Sequence, residues 1–413
     1  MMARTTEGVS RALAVCVVAA MVVAPGVGRA EPGGVARGAN QLGLRLLRDQ
    51  LNEARGGNTV LSPPSIEAAL AMTAVGAEGD TRAEMVAVLG LGEDEGAFAD
   101  GLRSIGRELT RAAEMSPPEN RFEWGMANRL FGEVTYPFRS EALAFLRERY
   151  GSPLEAVDFR TAADGTRQRI NGWVAEETRG RIADLIPPGG VDGLTRLVLV
   201  NALFLKAPWR ESFPERATRG APFYRRDGRT VEAPTMRHEA SMTFLETARF
   251  TAVGVPYRDG ALQAVVVVPA GTATIHEVLS ELSVEDLERI GGAEPTAVDL
   301  ALPKFTVRGE ELDLVPNLRR LGLRHIFGSG ADFGRFTDRR DIFVGNVFHK
   351  TFVAVDERGT EAAAATAVVM AKSLPMNKPA PRRVVVDRPF LFAIQHRPSG
   401  LCLFLGVIED PTV

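Results

Sequence analysis

Leucines recur at helical spacing near the start of the chain. In the segment ANQLGLRLLRDQL, Leu44, Leu47 and Leu51 fall on one helix face. A second helix is predicted for SPPSIEAALAMTAVG, where Ser62 can cap the first turn, prolines occupy that turn and Gly76 ends the helix. The first half of the chain is therefore predicted to be mostly helical.

Two further helices follow from capping and periodicity. Thr81 and Glu84 have the spacing of a capping box for a helix that runs to Gly90. The segment GTRQRINGWVAEETRGRI is amphipathic at helical spacing and predicts a helix that ends near Gly180.

Short apolar runs bounded by turn residues dominate the second half. RLVLVNALFL and LQAVVVVPA are typical of buried strands, and RPSG between RPFLFAIQH and GLCLFLGVI predicts a hairpin. Helices first and strands later favour an α+β domain over a doubly wound sheet.

The amino terminus has the pattern of a secretory signal. Arg4 and Arg11 precede the apolar run Ala12–Ala24, which Pro25 ends. This run is too short to span a bilayer, so residues 1–30 are predicted to be a signal peptide and residues 31–413 a single domain. The protein is then expected to be secreted or periplasmic. The alternative is a buried amino-terminal helix.

Composition adds little to this picture. The formal net charge of −3 argues against a nucleic-acid binder held by bulk charge. Lysines are few beside arginines, which hints at a GC-rich, bacterial genome. Removal of the signal would take Cys16 with it and leave only Cys402, which cannot form an internal disulfide.

The motifs of common enzymes are missing. The sequence contains no G-x-S-x-G elbow, no H-E-x-x-H and no Walker loop. The histidines are scattered, and none pairs with a second ligand at metal spacing. We therefore predict no enzyme, no metal and no cofactor.

One basic stripe has two interpretations. Arg103, Arg107 and Arg111 recur every fourth residue, so a helix places them on one face. A polyanion could bind there. The other interpretation is a solvated helix face, which the neighbouring Glu108 and Glu114 favour.

The segment DERGTEAAAATAVVMAKSLPMNKPAPRR is compatible with several secondary structures. Its alanines favour a helix, whereas its valines and threonines suit a strand. In a strand, Thr360, Ala362 and Ala364 would share one face made of small side chains. A segment able to be loop, helix or strand suits a conformational switch.

The chain resembles the serpin family from about Ala39 to Pro411. The resemblance rests on ordered blocks that include NTVLSPPSIEAALAMTAVGAEGDTRAEM, ANRLFGE, INGWVAEETRGRI, TRLVLVNALFLKAPW, LPKF, FHKTFVAVDERGTEAAAATA and RPFLFAI…LFLGVIEDP. It implies an α+β serpin fold with three β-sheets, about nine helices and an exposed reactive-centre loop at about 357–383.

The resemblance also implies a function. Inhibitory serpins offer this loop to a serine protease, and the cleaved loop inserts into the main sheet with the acylated protease attached. We expect a monomeric, irreversible inhibitor of serine endopeptidases; the alternative is a non-inhibitory binding or chaperone protein of the same fold.

Three groups of residues match functional regions of the family. The hinge, where insertion starts, comprises Glu357, Gly359, Thr360, Glu361, Ala362, Ala363, Ala364 and Ala365. The shutter, a polar cluster under the main sheet, comprises Ser62, Ser65, Asn201 and His349. The breach, at the top of that sheet, comprises Lys304, Glu357 and Trp209. The inward hinge positions carry no charge and no proline, which favours the inhibitor.

The family register places the reactive bond at Ser373–Leu374. A small serine before this bond favours elastase- or subtilisin-like proteases. A register shorter by one residue makes Lys372–Ser373 the bond and trypsin-like proteases the targets.

Overall fold

The computed structural model describes residues 32–53, 57–92, 94, 96–115, 122–152, 154–308, 312–360 and 380–413. The predicted signal segment lies outside these residues. Nine α-helices occur in the described ranges: α1 (Pro32–Glu53), α2 (Pro63–Ala74), α3 (Gly79–Leu89), α4 (Ala97–Met115), α5 (Ser140–Phe145), α6 (Phe159–Glu177), α7 (Ile275–Glu281), α8 (Val284–Gly291) and α9 (Val315–Leu321).

The strands alternate with these helices in the first half and dominate the second. They are β1 (Thr59–Leu61), β2 (Glu123–Glu133), β3 (Glu155–Val157), β4 (Leu197–Pro208), β5 (Arg219–Tyr224), β6 (Thr230–Glu246), β7 (Phe250–Pro256), β8 (Leu262–Pro269), β9 (Pro295–Pro303), β10 (Phe305–Arg308), β11 (Leu312–Asp313), β12 (Val344–Val355), β13 (Gly359–Thr360), β14 (Arg382–Val385), β15 (Phe390–His396) and β16 (Cys402–Ile408).

Seven of the described strands form the main sheet. Its order is β10-β12-β13-β4-β2-β3, with β11 paired to β12. Along most of their length β4 and β12 are direct, parallel neighbours, and β13 lies between them at one end.

The long strand β6 joins two further sheets. Its residues 230–243 pair with β5 and β9, and β9 pairs with β14. Its residues 243–246 pair with β7, which leads through β8, β15 and β16 to β1. With the main sheet this makes three sheets, as the sequence resemblance implied.

Helix α2 lies in the core between sheets. All twelve of its residues are buried, and it packs on β2, β4 and β16. Helix α6 covers the opposite face of the main sheet, where Ile170 and Val174 belong to the same hydrophobic cluster as Val198 and Val200 of β4. Both faces of β4 are therefore buried, which explains its nearly continuous apolar sequence.

The described ranges lack two further kinds of feature. No helix there is long and apolar enough to cross a membrane. No group of three or more His, Cys, Asp or Glu side chains there could hold a metal ion.

Candidate functional site

The main sheet opens at one end of the boundary between β4 and β12, which we call the seam. The two strands pair directly from Leu197 and Val344 to Leu203 and Thr351. Further along, Thr360 of β13 lies between them, opposite Ala207 on one side and Val355 on the other. Two residues of the predicted hinge, Gly359 and Thr360, therefore lie inside the sheet, and Thr360 pairs with both neighbouring strands.

Gly359 is required by a close approach of two backbones. A Cβ atom at this position would lie 2.1 Å from the carbonyl oxygen of Ala207. A tight turn brings the glycine here: the amide of Asp356 donates to the carbonyl of Gly359 at 3.0 Å, and the Asp356 carboxylate accepts from the amide of Arg358 at 2.8 Å.

Lys304 and Glu357 form an ion pair at this open end. Lys304 Nζ lies 2.9 Å from Glu357 Oε2, and Thr218 Oγ1 donates to Glu357 Oε1 at 2.8 Å. Burial alone would raise the pKa of Glu357, but the hydrogen bonds from Lys304 and Thr218 outweigh it and hold that pKa below its ordinary value. Glu357 is therefore ionised at neutral pH.

Trp209 fastens the turn to the end of β4. Its Nε1 donates to the carbonyl of Asp356, and its amide donates to the carbonyl of Arg358, both at 2.9 Å. Its indole stacks on Tyr257 with ring centroids 4.6 Å apart. Lys304 and Trp209 thus both contact the turn that contains Glu357, the third breach residue predicted from the sequence.

A polar row crosses the seam in the middle of the main sheet. Asn128, Asn201 and His349 lie opposite one another on β2, β4 and β12. His349 Nδ1 is hydrogen-bonded to Asn201 Oδ1, and its Nε2 accepts from the amide of Ser62 at 3.1 Å. This pattern requires a neutral imidazole with its proton on Nδ1, and complete burial lowers the pKa of His349 to about 3.

The sequence prediction of the shutter missed Asn128. Ser65 Oγ donates to Asn128 Oδ1 at 2.8 Å, so Ser65 joins the cluster through this asparagine and not through His349. The available signal was the polar side chain itself, in the ANRLFGE block that carries part of the family resemblance. Ser62 contacts His349 through its backbone amide. The sequence predicted that the Ser62 hydroxyl would cap α2, but this hydroxyl makes no capping hydrogen bond.

Part of the predicted site lies outside the described residues. This holds for the hinge residues Glu361, Ala362, Ala363, Ala364 and Ala365, and for Lys372, Ser373 and Leu374 of the two candidate reactive bonds.

The three arginines of the basic stripe on α4 have different environments. Arg103 is half-buried and donates to the carbonyls of Glu148 and Arg149, where a short π-helical turn ends. Arg107 and Arg111 are exposed. The three arginines therefore do not form one free basic surface.

Comparisons with known proteins agree with this architecture. The model of the serpin (serine protease inhibitor) family matches residues 37–411. The leukocyte elastase inhibitor of Sus scrofa is 36% identical over 87% of this chain and 95% of its own length. The human leukocyte elastase inhibitor is 33% identical over 86% of this chain and 93% of its own length.

Among solved structures, human thyroxine-binding globulin covers 92% of this chain and 100% of its own, with a TM-score of 0.80 and 25% identity. Uncleaved ovalbumin has the same coverage, a TM-score of 0.79 and 24% identity, and so supports the fold alone.

The predicted secreted or periplasmic location is wrong on this comparison. The leukocyte elastase inhibitors that this chain matches are intracellular serpins without signal peptides. The comparisons also lend no support to the bacterial origin suggested by the arginine bias. These relatives are protease inhibitors and not enzymes, in agreement with the missing enzyme motifs. By its fold and by a match along nearly its whole length, the chain belongs to the serpin family of serine protease inhibitors.

Proposed function

We propose that this chain is a suicide-substrate inhibitor of serine endopeptidases that traps the protease by inserting its cleaved reactive-centre loop into the main sheet. The position of Thr360 carries the proposal, because this residue already pairs with β4 and β12 where they part. A strand continued from Thr360 would run down the seam antiparallel to both neighbours.

The chemistry belongs to the protease. Its serine oxygen attacks the carbonyl carbon of the reactive bond, an ester joins protease and loop, and the next residue leaves as a new amino terminus. Water would hydrolyse this ester and free the protease. If the severed loop enters the sheet first, the protease stays attached.

Side-chain size on the hinge favours this outcome. Thr360 is fully buried between Ala207 and Val355. Alternation along a strand would place Ala362 and Ala364 on the same face as Thr360. Such small side chains would enter the seam with little steric cost.

The driving force is a gain of backbone pairing. Insertion replaces the parallel β4–β12 ladder with two antiparallel ladders, which have more hydrogen bonds and slightly more stable pairing per residue. The uncleaved protein is then metastable, and loop cleavage removes the constraint that keeps it so.

The relatives and the loop sequence support an elastase-like target class. The mammalian relatives are named leukocyte elastase inhibitors. Ser373–Leu374 as the reactive bond would suit an elastase- or subtilisin-like protease, whereas Lys372–Ser373 would suit a trypsin-like one. We favour elastase-like proteases as partners of a monomeric inhibitor.

Incubation with pancreatic elastase, subtilisin and trypsin tests the proposal. We expect a complex with elastase that survives denaturing electrophoresis, together with a released carboxyl-terminal peptide whose mass locates the bond. Loop cleavage by every protease without such a complex would refute inhibition and leave the non-inhibitory alternative.

A hinge variant provides a matched control. Thr360→Glu would place a charge in a buried position between two strands, so its loop should be cleaved without a complex forming. Thr360→Ser keeps a small hydroxyl side chain and should still form the complex.

A further inference from the structure

Two buried hydroxyl groups meet at the open end of the seam. Tyr257 Oη lies 2.6 Å from Thr360 Oγ1, and neither residue is exposed to solvent. Burial raises the pKa of Tyr257 far above its ordinary value. The phenol therefore keeps its proton throughout the physiological pH range and can act as donor or acceptor.

Several contacts that position the tyrosine lie outside the hinge. Its ring stacks on Trp209, and its amide donates to the carbonyl of Leu262 at 3.1 Å. The next amide, that of Arg258, donates to the carbonyl of Pro208 at the end of β4 at 3.0 Å. The end of β4 and the turn leading into β8 thus hold the tyrosine through contacts that do not involve Thr360.

Thr360 is the last described residue before the gap at 361–379. In the part of the chain that the structure describes, β13 pairs with Val355 through Thr360 and with β4 through Gly359 and Thr360. The buried side-chain hydrogen bond to Tyr257 adds to these backbone pairings and helps to keep Thr360 in the sheet.

We propose that Tyr257 is a positioning residue for loop insertion: its hydroxyl holds Thr360 in the open end of the seam. Insertion then starts from a hinge whose Thr360 is already paired in the sheet, which we call seated, and not from a hinge that has left the sheet, which we call expelled. This inference rests on the proposed function, because seating matters to inhibition only if the loop inserts.

The expected effect is about fivefold. A typical buried hydrogen bond shifts an equilibrium by roughly that factor. Without the hydroxyl, the ratio of seated to expelled hinge should fall about fivefold. Insertion would then start later, more of the acylated loop would be hydrolysed first, and more inhibitor molecules would be consumed for each protease trapped.

Isosteric variants test this directly. Tyr257→Phe keeps the ring on Trp209, and Thr360→Val keeps the shape of the threonine. Tyr136→Phe is the matched control, since Tyr136 is also buried and its hydroxyl accepts from Arg196 Nε at 3.1 Å, away from the hinge. Two readouts are measured for each variant, including the Tyr257→Phe/Thr360→Val double variant. One is the number of inhibitor molecules consumed per elastase molecule, and the other is hydrogen exchange in the segment Asp356–Thr360 of the uncleaved protein.

We expect Tyr257→Phe and Thr360→Val each to speed hydrogen exchange about fivefold and to raise inhibitor consumption. In the double variant, neither the exchange rate nor the inhibitor consumption should exceed that of the single variants. The control should match the parent. Parent-like exchange in Tyr257→Phe, or additive effects in the double variant, would overturn the inference. If the parent forms no covalent complex, the proposed function fails, but the exchange measurement still decides whether Tyr257 seats Thr360.

Discussion

Lys304 and Glu357 are joined by an ion pair of 2.9 Å between Nζ and Oε2. Lys304 lies between β9 and β10, and Glu357 lies in the turn before β13. The pair therefore ties the start of the hinge to a neighbouring part of the fold, at the end of the main sheet that is already open.

Reversing the charge of Glu357 should loosen this end of the sheet. In Glu357→Lys the ion pair becomes a repulsion, and Thr218 also loses its acceptor, so the free energy of unfolding should fall by about 1–2 kcal/mol. A loosened seam can accept the loop of a second molecule, so we expect polymers on native gels after mild heating. A variant that stays monomeric at the parent's stability would contradict this role.

Sequence patterns were sufficient wherever one local rule decided the structure. The apolar runs around Val200, Val266 and Phe392 became β4, β8 and β15. Sequence patterns failed where a contact with a distant part of the chain determined the role of a residue. Thr81 and Glu84 do not form a capping box, because α3 begins at Gly79 and Thr81 lies inside the helix. The Glu84 carboxylate instead accepts from the amides of Arg324 and His325.

Gly76 is a second residue whose role depends on a tertiary contact. Helix α2 ends two residues before it, and the glycine is needed because a Cβ there would lie 2.1 Å from the ring of Phe336. In the candidate site, too, some residues could be nominated from the sequence and others could not. The family resemblance nominated Lys304 and Glu357, but the contact of Tyr257 with Thr360 depends on two distant segments and has no local signature.

The buried imidazole of His349 predicts loss of stability in acid. An unfolded chain binds a proton at this residue below its ordinary pKa of about 6.5, whereas burial holds the native pKa at about 3. Between these values the unfolded state carries the extra proton, so the free energy of unfolding should fall by up to about 1.4 kcal/mol for each pH unit of acidification.

Denaturant unfolding of the parent and of His349→Gln between pH 3 and pH 7 measures this effect. The variant should have a shallower pH dependence by one proton, whatever its absolute stability. His396, whose pKa burial lowers to about 4, contributes to both proteins equally. Equal slopes in the two proteins would show that His349 does not stay neutral in the folded state.

Arg103 and Arg107 should differ in importance although they share one helix face. The guanidinium of Arg103 donates to carbonyls that end the π-helical turn Leu146–Tyr150, while Arg107 is exposed. Arg103→Gln should lower the free energy of unfolding by about 1–2 kcal/mol, because it leaves these carbonyls without a cationic donor. Arg107→Gln should change it by less than about 0.5 kcal/mol. Equal melting temperatures for the two variants would be inconsistent with this assignment.

A methyl group on Gly359 should remove the hinge from the sheet. In Gly359→Ala the added Cβ would meet the carbonyl oxygen of Ala207 at 2.1 Å, well inside van der Waals contact, so β13 must shift away from β4. Thr360 would then lose its partners on both strands, and insertion should begin too late to trap an acylated protease.

Gly172→Ala is the control, since Gly172 is exposed within α6 and no atom outside its own helix backbone lies within 4 Å of its would-be Cβ. Titration of elastase with each protein should show a several-fold higher inhibitor requirement for Gly359→Ala alone; a parent-like requirement would mean that close approach of Gly359 to β4 is not needed for inhibition.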